Sequence, residues 1–380
     1  MLMNQLASLQ KAYETLSDTL DAAAINRAAA RNKEAGPTVA DSDDIPEDRL
    51  LVLCAMKAVE ALALRGYLEI LGDPDDSRRL TFTLTERGSA ALEKASWAEF
   101  PSRPGDIIIS TAPKSGTTWM QMICALLIFQ TPELPASIPE LSPWLESQWP
   151  EERARGRQQF AAQQHRRFIK THRPLKEIPI DPQVTYIVVA RNPLDVMVSM
   201  HYQGSVLLAA DDLRQPDDSE RPRKSARQCV LDNISEMGTT RSLFNGILED
   251  LSYAWERRAE PNIVLVHYED LSTDLQGEMR RLAKRLQITV PEDNWPSLVQ
   301  AATFEQMRAA ADQLQPLKYS EARDASRGYE AFFRRGSSGD GRALLTESEA
   351  DRYYTQAAQI APQELLAWLH RDDEHYALRE

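Results

Sequence analysis

Cysteine is scarce in this 380-residue chain. Only Cys54, Cys124 and Cys229 occur. They are odd in number, far apart and in no Cys-x-x-Cys or Cys/His spacing, which argues against a disulfide framework and a zinc site and predicts a reducing, cytoplasmic setting. No apolar run reaches the roughly 18 residues of a membrane span. The N-terminus, with Asn4, Gln5 and Gln10 early and no basic leader, does not read as a signal peptide. Internal repeats and extended low-complexity tracts are missing too. Positive charge is in deficit: 44 Lys plus Arg face 57 Asp plus Glu, for a formal net charge of −13. A surface of that sign suits neither nucleic acid nor an anionic membrane, so neither is expected as a partner. Any anionic ligand needs a local basic pocket within an acidic background.

One segment supplies such a pocket. Ala112-Pro-Lys-Ser-Gly-Thr-Thr-Trp119 follows the apolar run Ile107–Ile109 and precedes a helix-like stretch to Phe129. A strand, a tight glycine loop and a helix in that order make a phosphate cradle, because unpaired N–H groups and the positive dipole end face the loop. A nucleoside-triphosphatase loop places its lysine directly after the last glycine and a magnesium-holding Ser/Thr after that. Here Thr117 follows Gly116, and the one loop lysine, Lys114, lies two residues before it. A later apolar strand, Thr185–Ala190, ends in Arg191, where a metal-binding aspartate would be expected. Positive charge stands in for a metal site, and no metal is expected.

The remaining pattern predicts an α/β fold, a central parallel sheet flanked by helices with a P-loop-like phosphate loop. Strands are expected at Ile107–Ile109, Arg167–Lys170, Tyr186–Val189 and Ile263–Val266. Lys114, His172 and Arg191 each fall just after one of them, on the carboxyl edge where such sheets bind ligands. The polar stretch Gln203–Arg227 breaks the alternation and reads as a flap or a surface insertion. Ahead of the loop, residues 1–98 read as a small helical, winged-helix-like N-terminal domain. It has helical spacing to about residue 34, an acidic linker from Gly36 to Asp48, a helix to about Arg65, strands at 66–70 and 79–85 joined by a turn, and a helix from Glu86 to Ala95. Acid-rich and without a complete helix-turn-helix, it is expected to serve docking or dimerisation rather than DNA binding. Residues 99–380 form the second expected domain.

Five motifs in order make residues 100–350 resemble the sulfotransferase family of the cytosolic type, whose donor is 3′-phosphoadenosine 5′-phosphosulfate (PAPS) and whose nucleotide product is 3′-phosphoadenosine 5′-phosphate (PAP). The phosphate loop is the first; the resemblance implies that Lys114, Ser115, Gly116, Thr117, Thr118 and Trp119 hold the 5′-phosphate end. Phe168-Ile-Lys170-Thr-His172 resembles the element that supplies the catalytic base. Arg191-Asn-Pro-Leu-Asp195-Val-Met-Val-Ser199 resembles the segment gripping the 3′-phosphate through its first arginine and last serine. Tyr268, Thr303 and Phe304 fall where the family contacts adenine. Phe332-Phe333-Arg334-Arg335-Gly336 opens a segment resembling the loop over the 3′-phosphate. Two departures stand out: Gly341 follows Asp340 where the family has tryptophan, and Arg335 replaces a lysine, a planar fork in place of a point charge. The dimerisation element of animal members is not visible, so a homodimer stays an open option.

On their own chemistry, the same residues suggest roles. His172, with an ordinary pKa near 6.5, suits a general base, and Lys114 suits the charge that builds on a departing phosphate. Lys170 is a second cation by the transferring group, or simply a surface charge. The expected reaction is sulfonyl transfer from PAPS to a hydroxyl, or an amine, of a small-molecule acceptor lined by residues such as Trp144, Trp149, Tyr202 and Phe244. The alternatives are a kinase with a variant loop, which a magnesium requirement would reveal, and a nucleotide-sensing transcriptional regulator, which specific DNA retention without turnover would reveal.

Overall fold

The computed structural model describes residues 68–71, 81–84, 97, 100–146, 150–207, 224–239, 242–314, 336, 338–371, 373 and 376. The chain divides into two compact units, Met1–Phe100 and Pro101–Glu380. In the first, β1 (Leu68–Leu71) pairs antiparallel with β2 (Thr81–Leu84), Leu68 opposite Leu84. The helices and linker expected around this hairpin lie outside the described residues.

The second unit holds a four-stranded parallel sheet of β3 (Ile107–Thr111), β4 (Phe168–Thr171), β5 (Thr185–Ala190) and β6 (Ile263–His267), in the spatial order β4-β3-β5-β6. Every residue of β3 is buried, as is β5 from its second residue on. Central parallel strands are covered on both faces, which is why they read as unbroken Ile/Val runs rather than alternating ones. Helix α1 (Thr117–Phe129) follows β3, and α2 (Pro193–Leu207) follows β5. Ile107, Ile109, Ile123, Leu126 and Phe168, all without exposed surface, belong to the core that α1 shares with the sheet. Helix α2 runs through Leu207, so the expected flap begins in regular helix; the next helix, α3 (Ala226–Ser235), is capped by Ser225, whose hydroxyl accepts from Gln228 N–H. Residues 208–223 lie outside the described residues.

Two features of the sheet position the site. The chain leaves β3 toward β4, then crosses back over β3 to reach β5 and continues outward to β6, so β3 lies beside the switch point where such sheets hold ligands. The register also aligns the carboxyl ends: Ser110 lies beside Thr171, Thr111 beside Val189, and Ala190 beside His267. The residues that follow, Ala112 onward, His172, Arg191 and Tyr268, therefore leave from one edge.

Candidate active site

The loop after β3 turns through two left-handed residues, Lys114 with φ 66° and Gly116 with φ 99°. Gly116 is the N-cap of α1 and contributes no side-chain cap. Thr117 and Thr118 are its first helical residues. The reason is local: with the glycine in the capping place, the Thr117 hydroxyl is free to hydrogen-bond the Thr111 hydroxyl at 2.5 Å, tying the loop back to the strand. Ser115 is buried at 1 % exposure, and a Cβ on Gly116 would approach the Tyr268 ring at 3.1 Å. Glycine is required both by the left-handed backbone and by that neighbour.

A chain of contacts runs outward from this loop. Arg191, at 8 % exposure, donates to the Lys114 carbonyl at 3.1 Å and lies over the Tyr268 ring, 4.2 Å from its centroid. Tyr268 meets Trp119 edge-on at 5.4 Å, and the Trp119 indole donates to the Ala302 carbonyl at 2.8 Å. That bond leads to Thr303, which caps the helix Phe304–Ala309 by accepting from Gln306 N–H. Phe304 lies against Gly336, where a Cβ would come within 2.6 Å of its ring. Four of the five motifs thus meet, directly or through one intermediate residue. Ser199 is half-buried on α2, about two turns beyond Arg191. Phe333, Arg334 and Arg335 lie outside the described residues.

The fifth motif, β4 and its end, meets the loop from the other side. His172 Nδ1 is 3.0 Å from the Thr111 carbonyl. A carbonyl only accepts, so Nδ1 carries the hydrogen and Nε2 keeps its lone pair. Burial pushes the imidazole pKa down to about 4, the positive charges of Lys170 and Lys114 push the same way, and the Thr111 bond opposes them. The ring is consequently neutral at working pH. Burial, and secondarily the Arg191 charge, lowers Lys114 to about 8. Lys170 falls to about 8 through burial, against the pull of the Glu146 carboxylate, and its ammonium lies 5.0 Å from the centroid of the Trp144 ring.

Glu146 is a residue the sequence reading passed over. Its carboxylate, 7 % exposed, accepts from the Thr171 hydroxyl, from His172 N–H at 3.2 Å and from the Trp144 indole at 3.3 Å. It fixes the strand end that carries Lys170 and His172. Ser142, four residues earlier in the chain, accepts from the Gln121 side chain of α1 at 2.9 Å. Nothing local in Pro-Trp-Leu-Glu marks this glutamate as buried. Among the expected acceptor residues, Trp144 and Tyr202 are each 40 % exposed, whereas Phe244 is fully buried. Phe244 is a correction: it lies in the helix Leu243–Glu256 and packs on Tyr353 at 5.3 Å, so it belongs to the core. Trp149 lies outside the described residues. Among the described residues no group of three or more His, Cys, Asp or Glu is arranged to hold a metal, and no helix is long and apolar enough to cross a membrane.

A parallel sheet with a glycine phosphate loop at its switch point, two cations held together and a neutral histidine beside them defines a group-transfer enzyme that handles anions. The chain belongs to the sulfotransferase family, whose domain profile matches residues 104–361. A glycolipid sulfotransferase of Mycobacterium tuberculosis is 36 % identical over 317 residues, covering 76 % of this chain and 94 % of that protein. Human sulfotransferase 2B1 is 30 % identical over 287 residues, covering 72 % of each. The fold is shared with retinol dehydratase in complex with androsterone and inactive cofactor PAP, at a TM-score of 0.55 and 19 % identity over 75 % of this chain and 87 % of that one. It is shared also with mouse sulfotransferase SULT7A1 complexed with PAP, at a TM-score of 0.51 and 19 % identity over 78 % and 95 %.

Proposed function

We propose that this sulfotransferase takes PAPS as its donor and passes the sulfonyl group to a hydroxyl of a small acceptor, with residues 99–380 as the catalytic domain. The residues present fit such a donor. Lys114 and Arg191, two like charges held together beside a left-handed glycine turn, gain from any anion placed between them. The donor supplies a sulfur electrophile with a phosphate leaving group. The protein does the rest. Nε2 of His172 accepts the hydroxyl proton as the acceptor oxygen bonds to sulfur and the sulfur–oxygen bond to phosphate breaks. Lys114, with the loop from Ser115 to Trp119, neutralises the charge on the departing phosphate, and Lys170 offsets charge at the transferring group. Arg191, Ser199, Arg334 and Arg335 select the 3′-phosphate, and Thr303, Phe304 and Tyr268 shape the adenine end.

The observation that carries this reading is the Thr111–His172 bond, which leaves a lone pair on Nε2 beside two lysines. The half-exposed Trp144 and Tyr202 suit an acceptor with an apolar body bearing a hydroxyl, and the mycobacterial relatives named for glycolipids make that class the first to try. Reduced thiols at Cys124 and Cys229 suit a cytoplasmic setting.

His172→Ala tests the assignment. Turnover should fall by roughly 10²–10⁴-fold while PAP affinity, read by calorimetry, stays within about twofold. Equal losses of both would make His172 a structural residue. Magnesium-dependent transfer of phosphate from ATP would replace the reading with a kinase.

A further inference from the structure

The sequence motif Arg191 to Ser199 contains a carboxylate that the proposed chemistry does not use. Asp195 stands in the first turn of α2, four residues after Arg191, and is 3 % exposed. Its Oδ2 accepts the Gly339 N–H at 2.9 Å and its Oδ1 accepts the Gly341 N–H at 2.7 Å. Among the described residues no cation forms an ion pair with it. Both oxygens of a buried charge are thus directed at the main chain of one loop 144 and 146 residues away in sequence. Charge-assisted bonds of this kind are the stronger sort, and a buried carboxylate left without them is costly.

The glycines make the approach possible. Gly339 has φ 92°, and Gly341 lies so close to the Leu194 backbone that a Cβ would fall 2.3 Å from the Leu194 carbonyl carbon. No side chain fits there, so the backbone of residues 339–341 can settle on the N-terminal turn of α2. Five residues back in the chain, Gly336 is held against Phe304. Gly336 is thus held by Phe304, and Gly339 and Gly341 by Asp195. The tryptophan expected after Asp340 from the family pattern has no room at this place; Gly341 is what lets the clamp close.

We infer that Asp195 is a positioning residue for the donor's 3′-phosphate: by holding the Gly339 and Gly341 N–H groups it fixes that stretch of backbone against the helix turn that follows Arg191. The inference rests on the proposed reading of Arg191 as a 3′-phosphate ligand. It differs from a packing role in its consequence, because a clamp on this loop affects ligands that carry a 3′-phosphate and spares those that do not.

The test uses the full chain and two probes, PAP and AMP, which differ only in that phosphate. In Asp195→Asn, an isosteric change that keeps one acceptor oxygen, PAP affinity should drop by about 10–100-fold while AMP affinity stays within about twofold. The donor KM should rise with it, and kcat at saturating donor should change by less than about threefold. Should that variant not fold, Gly339→Ala, whose Cβ meets nothing within 4 Å, should show the same selectivity at smaller amplitude. Equal weakening of PAP and AMP, or no weakening of either, overturns the clamp. Arg191→Ala measured alongside separates the two ideas. If Arg191→Ala fails to discriminate PAP from AMP, the 3′-phosphate reading itself falls; if it discriminates and Asp195→Asn does not, only the clamp does.

Discussion

The two ends of the parallel sheet treat positive charge in opposite ways. At the amino ends of the strands, Arg167 is buried against Asp106 with two nitrogens on the carboxylate, and that carboxylate also accepts from Arg103 N–H at 2.7 Å. Nearby, Arg166 donates to the Gly105 and Leu286 carbonyls, and Arg103 to those of Gln163 and Ala161. Each charge there meets an acceptor that belongs to the fold. At the carboxyl ends burial first and the Arg191 charge second push Lys114 down, and burial first and the Lys170 charge second push His172 down, so cations are gathered beside one another and away from water. Like charges brought together destabilise the folded chain, and the arrangement makes sense if an anion completes it. One end holds the sheet together; the other is built for a ligand.

The largest effect that tests this contrast is at the structural end. Asp106→Ala removes the carboxylate that balances the buried Arg167 charge and should lower unfolding stability by about 3–5 kcal/mol in urea titrations. PAP affinity at subsaturating urea should hardly move. A loss of PAP affinity larger than the loss of stability would show that the two ends are not independent. Next in size is a pH effect confined to the ligand end. With Lys114 and Lys170 near 8, both lose their ammonium charge as pH rises past that value, so donor kcat/KM should fall above about pH 8 by roughly tenfold per unit for each lysine that must be charged. With His172 near 4, the base stays available and no acid limb should appear between pH 5 and 7. Bound donor anion favours the charged lysines, so the alkaline limb should move upward in kcat relative to kcat/KM. A limb at the same pH in both, or an acid limb near 6.5, breaks the assignment.

The contrast also explains what was legible in the sequence. The four strands read out because buried parallel strands are continuous apolar runs, and Lys114, His172 and Arg191 read out because each sits one to three residues beyond a strand. Their gathering at one edge follows from topology alone. Less visible were residues that act through others. Glu146 and Asp195 hold main-chain N–H groups and neighbouring side chains, and nothing in local composition separates such a carboxylate from an exposed one. Phe244 went astray for the same reason: an aromatic side chain's direction on a helix is decided by Tyr353, which lies more than a hundred residues away. Threonine often caps a helix, but at α1 a left-handed glycine takes that place and the Thr117 hydroxyl turns to Thr111.

The finest comparison uses two glycines. Gly105, at the structural end, has φ 86°, and Gly116, at the ligand end, has φ 99°. Alanine at either position meets the same left-handed penalty, about 1–2 kcal/mol. Their surroundings differ. A Cβ on Gly105 would lie 3.9 Å from Arg166 Nε, an ordinary contact, whereas one on Gly116 would press on the Tyr268 ring at 3.1 Å and 3.3 Å. That ring cannot drift freely, since Trp119 meets it on one side and the Arg191 guanidinium lies over its face. Both variants should therefore show similar, small drops in thermal midpoint. Only Gly116→Ala should also weaken PAP, by about three- to tenfold, because the displaced ring carries Arg191 with it. Equal PAP affinity in the two variants would mean that the Tyr268–Arg191 stack does not transmit the strain, and that Arg191 is held by its bond to the Lys114 carbonyl instead.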